Sequence, residues 1–287
     1  MSGFAYVRAR SAEEASSALR ELGGEAKILA GGQSLLPLVN LGLAHPAALV
    51  DIGRAAGLGE VERESGSLRI GALVRHRTLE TSPAVADAHP LLAAAVGHIG
   101  SPRVRNRGTL GGSLCHADPS AELPLAMSVL EAEYEVSDGG GSRSVPATAF
   151  ALSFFTTALE EGEILTHVRV PATTRETGWG FREMTRRAGD FAIVAAAALA
   201  TCRDGVVETI RLGLAGVADR PVRCDAFEAA APGTPVDRLA GLEDAVVTGV
   251  EPPTDTAASG AYRARLARVL GVRAAADACA RAMGRTP

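Results

Sequence analysis

Residues 30–37, AGGQSLLP, set two glycines between a short apolar run, AKILA (26–30), and an amphipathic one, SLLPLVNLG (34–42). Glycine has no Cβ, so other groups can come unusually close to its amides. A strand that runs through glycines into a helix presents free amides and the positive end of a helix, and both favour an anion. Ser34 is the expected N-cap of that helix. An ordinary tight turn has the same composition, so the rest of the chain must choose between the two readings.

Ser11 followed by Glu14 is a capping box, and EEASSALREL continues it as a helix to Gly23-Gly24. PAALVDI (46–52) reads as a strand, and this small β/α unit ends near Gly57. A second unit starts at LRIGALV (68–74), with helices expected over LLAAAVGHI (91–99) and from about Ser120 to Leu130. Between them lies a glycine-rich segment, GTLGGSL (108–114). EAEYEVSD (131–138) and EEGEILTHVRVP (160–171) are expected as strands about the turn DGGGS, and Pro171–Gly178 as a linker. The last third suggests antiparallel strands and then, after Pro252-Pro253, an Ala/Arg-rich helix. The organisation expected is a domain over 1–175, split into 1–57 and 58–175, followed by a C-terminal α+β domain over 176–287.

Composition narrows the function. A net charge of −4 gives no general attraction to nucleic acid or anionic membrane. The longest apolar run, FAIVAAAALA (191–200), is too short to span a bilayer and reads as a buried strand. No signal-peptide core is visible, and Cys115, Cys202, Cys224 and Cys279 are too scattered for a zinc or iron–sulfur motif. A cytoplasmic protein with four buried thiols and no metal is expected.

RVRNRGTLGGSLCHADPSAELP (103–124) supplies a second bare stretch at Gly111-Gly112, with the hydroxyls of Thr109 and Ser113 beside it. Two such segments, each at the mouth of its own unit, could clamp one diphosphate. Neither follows the G-x-G-x-x-G pattern, and there is no P-loop lysine. A dinucleotide would therefore need a different architecture.

AGGQSLLP, RNRGTLGGSLCHADPSAELP, GEILTHVRVP and RRAGDFAIV, in this order and spacing, resemble the FAD-binding medium subunit of the molybdenum hydroxylases. The resemblance implies an α+β fold of the vanillyl-alcohol-oxidase type: two α+β subdomains holding FAD, then a C-terminal domain with an antiparallel sheet and helices. It implies that Leu29, Ala30, Gly31, Gly32, Gln33, Ser34 and Leu35 wrap the diphosphate. Thr109, Gly112, Ser113 and His116 would form the opposing side. Glu122 would sit near the flavin ring or ribityl chain, with Ile99 and Leu165 lining the cofactor. Phe191 stands where relatives commonly have a tyrosine over a flavin face, which keeps the shield and removes the hydroxyl. A lysine common just before this segment in relatives is replaced by the pair Arg182-Glu183.

Several residues also have plainer readings. His98 is expected at a helix end, Asp118 as the N-cap of the next helix, and His45, His76, His89 and His167 show no ligand spacing. Arg103, Arg105 and Arg107 suit a phosphate, a partner subunit or simple solvation. Arg263, Arg265, Arg268, Arg273, Arg281 and Arg285 read as the solvated side of helices. By the resemblance, the chain is an electron-transfer subunit: a large molybdopterin subunit oxidises substrate, and a small iron–sulfur subunit relays electrons to this FAD. NAD⁺, oxygen or another acceptor then takes them. The rivals are a self-standing FAD oxidoreductase, which the same cradle would serve, and a binding or assembly module whose glycines are merely turns.

Overall fold

The computed structural model describes residues 4–286. The first unit forms as the capping residues dictate. Ser11 Oγ accepts the Glu14 amide at 3.2 Å, and the Glu14 carboxylate accepts the Arg10 amide at 2.8 Å. Its elements are β1 (Ala5–Arg8), α1 (Ala12–Leu22), β2 (Ala26–Leu29), α2 (Leu35–Asn40) and β3 (Ala48–Asp51). The sheet order is β1-β3-β2, all parallel. The loop 30–34 therefore leaves the carboxyl end of a parallel strand, the edge at which α/β sheets commonly bind ligands. Ser34 departs from expectation: its backbone is already helical and its hydroxyl caps nothing.

The second unit holds β4 (Val61–Glu64), β5 (Ser67–Gly71), α3 (His76–Thr81), α4 (Pro83–Ala88), α5 (Pro90–His98), α6 (Pro102–Arg105), α7 (Leu110–His116) and α8 (Glu122–Val129). It continues through β6 (Glu133–Ser137), β7 (Ser142–Pro146), α9 (Ala147–Phe150), β8 (Ala151–Ser153), β9 (Thr156–Thr157) and β10 (Ile164–Pro171). Five strands pair antiparallel in the order β4-β5-β10-β6-β7. The DGGGS turn joins β6 to β7, and β10 returns along the other side of β6. The strands β4 and β7 escaped the sequence reading because they are edge strands, polar and mostly exposed, with no apolar alternation to betray them. GTLGGSL is likewise no loop but the start of α7, where Thr109 Oγ1 caps the Gly112 amide at 3.1 Å. Helix α8, apolar but for Glu122 and Ser128, is buried along its whole length.

The third unit is a sheet of β11 (Gly178–Met184), β12 (Val194–Arg203), β13 (Val206–Ala215) and β14 (Val222–Arg223), antiparallel in that order. It is followed by α10 (Asp225–Ala230), a 3-10 turn (Val236–Leu242), α11 (Glu243–Val246) and α12 (Gly260–Ala282). Strand β12 is covered on both faces. Ala195, Ala197 and Leu199 join the core of the second unit, while Val194, Ala196, Ala198 and Ala200 join the core under α12. The small side chains let both neighbours come close.

Among the basic residues near the C-terminus, Arg263 and Arg281 are not on the solvated side of a helix as expected. Arg263 is 4% exposed and donates to the carbonyls of Ile193 and Gly216 (2.9 Å for the latter) and to Asp255 at 2.7 Å. Arg281 lies over the Trp179 ring, 3.7 Å from its centroid. All four cysteines are free thiols; Cys224 and Cys279 are buried, Cys115 and Cys202 half-buried. No helix among the described residues is long and apolar enough to cross a membrane.

Strand β11 lies so close to α12 that a Cβ on Gly180 would stand 2.0 Å from the Ala274 carbonyl oxygen. Gly180→Val should therefore cost roughly 1–3 kcal/mol and lower Tm by several degrees. A melt superimposable on wild type would contradict this packing.

Candidate cofactor site

The two glycine segments touch. A Cβ on Gly31 would stand 2.4 Å from the Arg107 carbonyl oxygen and 2.9 Å from Gly108 Cα, and one on Gly112 would meet Ala30 Cβ at 3.9 Å. The amides of Gly31, Gly32, Gln33 and Ser34 have no hydrogen-bond acceptor among the described residues. Gly32 has φ +71°, a left-handed conformation that glycine adopts without strain. The half-buried Leu29, Ala30 and Leu35 flank it, and Gln33 is exposed. Helix α2 has only six residues, so the attraction for an anion rests on these unspent amides more than on a helix dipole.

The second segment is built differently. The Gly111 amide is taken by the Ala72 carbonyl at 2.8 Å and the Gly112 amide by Thr109 Oγ1. Thr109 is 1% exposed, so it braces the segment from behind, while Gly112 is exposed and Ser113 half-buried. His76 adds to the brace, its Nε2 2.9 Å from the Thr109 carbonyl oxygen. Burial pushes His76 down to about 4, so at neutral pH it is an uncharged donor to that carbonyl.

Arginine holds the adjoining loop. Arg105, 8% exposed, donates through Nη1 to the carbonyls of Ile99 (2.9 Å) and Gly100 (3.1 Å), and its Nε and Nη2 meet Glu80 at 2.9 and 3.1 Å. It is a structural clamp, and neither phosphate nor solvent reaches it freely. Arg75 donates to the Arg107 carbonyl in the same way. The loop after β11 lies on Gly100, since a Cβ on Gly189 would be 3.0 Å from the Gly100 carbonyl oxygen. That loop carries Phe191, 67% exposed, with its ring free to cover a bound group.

The remaining candidates lie in α7, α8 and β10 of the second unit. His116, half-buried, rests against the Phe155 ring at 5.1 Å. Leu165 is 4% exposed in β10. Asp118 is not the N-cap of α8: its carboxylate accepts the Ser120 amide at 2.8 Å, and the helix starts two residues later, after Ala121. Glu122 opens α8 at 7% exposure, and burial, with a further push from Asp118, raises its carboxyl to about 7. Two partners went unread in the sequence. The Glu183 side chain is 4% exposed, and its Oε2 lies 3.7 Å from Nδ1 of His98 at the end of α5. The signal was strand alternation: Glu183 continues the inward series of Trp179 and Phe181 in β11. Among the described residues, no three His, Cys, Asp or Glu gather as a metal site.

Unspent amides beside an apolar, carboxyl-bearing seam suit an adenine-dinucleotide flavin: donors for its diphosphate, apolar walls and a few polar groups for its ring. The fold and site thus define a flavoprotein. The comparisons agree. Residues 2–173 match the family described as FAD binding domain in molybdopterin dehydrogenase, and residues 179–278 the CO dehydrogenase flavoprotein C-terminal domain. The 6-hydroxypseudooxynicotine dehydrogenase complex subunit alpha of Paenarthrobacter nicotinovorans is 37% identical, covering 97% of this chain and 95% of the relative. The carbon monoxide dehydrogenase medium chain of Hydrogenophaga pseudoflava is 35% identical, over 97% and 98%. In solved structures, carbon monoxide dehydrogenase of H. pseudoflava matches with TM-score 0.93 at 37% identity, over 96% of each chain. Quinoline 2-oxidoreductase of Pseudomonas putida 86 matches with TM-score 0.93 at 36% identity, over 99% of each chain. This chain belongs to the FAD-binding medium subunits of the molybdenum hydroxylases, and its cofactor is FAD.

The clamp behind Ile99 has an acid signature. Arg105 holds the Glu80 carboxyl below its ordinary 4.5. Its stabilising effect is therefore complete above pH 4.5 and lost as pH falls through the depressed value. Unfolding free energy followed from neutral to acid pH should fall less steeply in Glu80→Gln than in wild type. Parallel curves would show that the pair does not contribute.

Proposed function

We propose that this chain is the electron-transfer subunit of a molybdopterin-dependent hydroxylase or dehydrogenase. A large molybdopterin subunit oxidises the substrate, a small iron–sulfur subunit relays the electrons, and this chain passes them to an external acceptor. FAD supplies a centre that exchanges electrons singly or in pairs. The observation that carries the reading is the contact of Gly31 with Arg107–Gly108 beneath a run of unspent amides. Two further points support it: the relatives are named as subunits of multi-chain dehydrogenases, and the four scattered cysteines form no cluster motif.

On this reading the division is 1–175, comprising 1–57 and 58–175, followed by 176–287. Gly31, Gly32, Gln33 and Ser34 take the diphosphate, flanked by Leu29, Ala30 and Leu35. Gly112 and Ser113 close the opposite side, with Thr109 as their brace. Ile99, Leu165 and Phe191 line the ring, and His116 and Glu122 are its polar neighbours.

The isolated chain should be yellow, release its flavin on acid or heat precipitation, and be bleached by dithionite. In anaerobic stopped-flow mixing, candidate organic substrates should leave it oxidised. Rapid bleaching by such a substrate without a partner subunit would overturn the relay role in favour of a self-standing oxidoreductase.

Gly32→Val tests the cradle. The positive φ disfavours a β-branched residue, and the new side chain would press on Leu36 and Leu29, distorting the backbone that carries the amides. The variant should purify folded but colourless, as read by circular dichroism and flavin absorbance. Unchanged FAD affinity would remove this segment from the site.

A further inference from the structure

Several partly buried acids elsewhere in this chain meet arginine: Glu80 with Arg105 at 2.9 Å, Glu135 with Arg69 at 2.8 Å, Glu163 with Arg143 at 2.6 Å, Glu228 with Arg223 at 2.7 Å and Asp277 with Arg182 at 2.6 Å. Glu122 and Glu183 do not. Among the described residues no arginine or lysine lies within 4 Å of either carboxylate, and Glu183 Oε2 is buried without a hydrogen-bond partner. A buried carboxylate without a counter-charge is costly, and protonation removes the cost.

We propose that Glu122 and Glu183 hold protons at the flavin seat, Glu183 against His98, and that losing them weakens the hold on FAD. The step is simple ionisation: each carboxyl O–H breaks, the proton goes to solvent, and a carboxylate stays in the seam beside an anionic cofactor. The proposal rests on the FAD site argued above.

The neighbourhood supports it. From α5 comes His98, whose ring stacks on Phe181 at 4.9 Å and which burial keeps below its usual value, hence neutral above pH 6.5. The turn before α8 contributes Asp118, a further negative charge. Strand β12 offers only Ala195 opposite Glu183. Arg182 turns to the far face of β11, where Asp277 of α12 neutralises it. The loop after β11 carries exposed Arg186 and Arg187 and half-buried Asp190. Burial, with a push from Asp118, raises Glu122 to about 7, and burial, with a push from Glu122, raises Glu183 to about 8.

The test uses the full chain, FAD titrations and infrared pH-difference spectra between pH 6 and pH 9. In wild type the FAD dissociation constant should rise roughly tenfold or more over this range, the scale expected for one unit charge added near an anion. A protonated-carboxyl C=O band should disappear in parallel, with or without FAD. Glu122→Gln and Glu183→Gln should each remove part of both changes, and the double variant should remove them. A wild-type affinity independent of pH would overturn the proposal, as would a pH slope surviving in the double variant. Affinity lowered equally at both pH values in Glu183→Gln, with the slope intact, would make that residue merely structural. Failure of wild type to bind FAD at pH 6 would overturn the cofactor site itself, and the infrared band of the apo chain would then decide the protonation separately.

Discussion

The structure depends on one close approach, that of Gly31 to the Arg107–Gly108 backbone. No side chain fits there, since a single Cβ would fall far inside van der Waals contact. This contact joins the parallel sheet of the first unit to the helical face of the second. It also leaves the Gly31–Ser34 amides on the outer side with nothing inside the protein to bond. Half-buried donors left free at such a junction are open to an incoming acceptor as well as to water.

The same economy of side chains recurs wherever the third unit meets its neighbours. Gly178 and Gly180 admit the backbone of α12, and a Cβ on Gly213 would meet Leu125 and Val129 of α8 at 2.9 Å. The alanines of β12 alternate between two cores that are themselves on opposite faces. These contacts fix the seam in which Glu122, Glu183 and His98 meet. A seam set by backbone contacts has little room to adjust, so a bulky residue there would shift β11, and with it the loop that carries Phe191.

Much of this was legible in the sequence. The capping residues gave α1, the apolar runs gave α5, α8 and β12, and the paired glycine segments with their flanking motifs pointed to FAD. What escaped had physical reasons. Edge strands such as Val61–Glu64 need only backbone pairing on one side, so their side chains carry no apolar pattern. Leu110–His116 was hidden because two glycines in its first turn look like a loop, although the Thr109 cap and close contact with Ala72 offset their poor helix propensity. Arg105, which suited a phosphate, a partner or solvent, and Arg263, which read as solvated, could not be placed because their carbonyl partners lie on segments that no local pattern locates. Glu183 was readable in principle from strand alternation; its partners on α5 and α8 were not, because only tertiary packing brings those helix ends to β11.

Those arginines also explain the electrostatics of the site. Arg75 and Arg105 donate to backbone carbonyls behind the cradle, at Arg107 and at Ile99–Gly100, and the sequence motif places no lysine or arginine within Gly31–Ser34 itself. Positive charge at Arg75 and Arg105 thus fixes loop geometry, while the Gly31–Ser34 amides that we assign to the diphosphate are neutral. A diphosphate held this way is bound by short oriented dipoles, which salt screens less than exposed ionic contacts. A mobile cation at the seam would neutralise Glu122 and Glu183 and remove the reason for their protons. With those cations committed to the scaffold, the two acids have the His98 imidazole and the Asp118 carboxylate beside them and no counter-charge, and on our proposal their charge follows the pH of the solution.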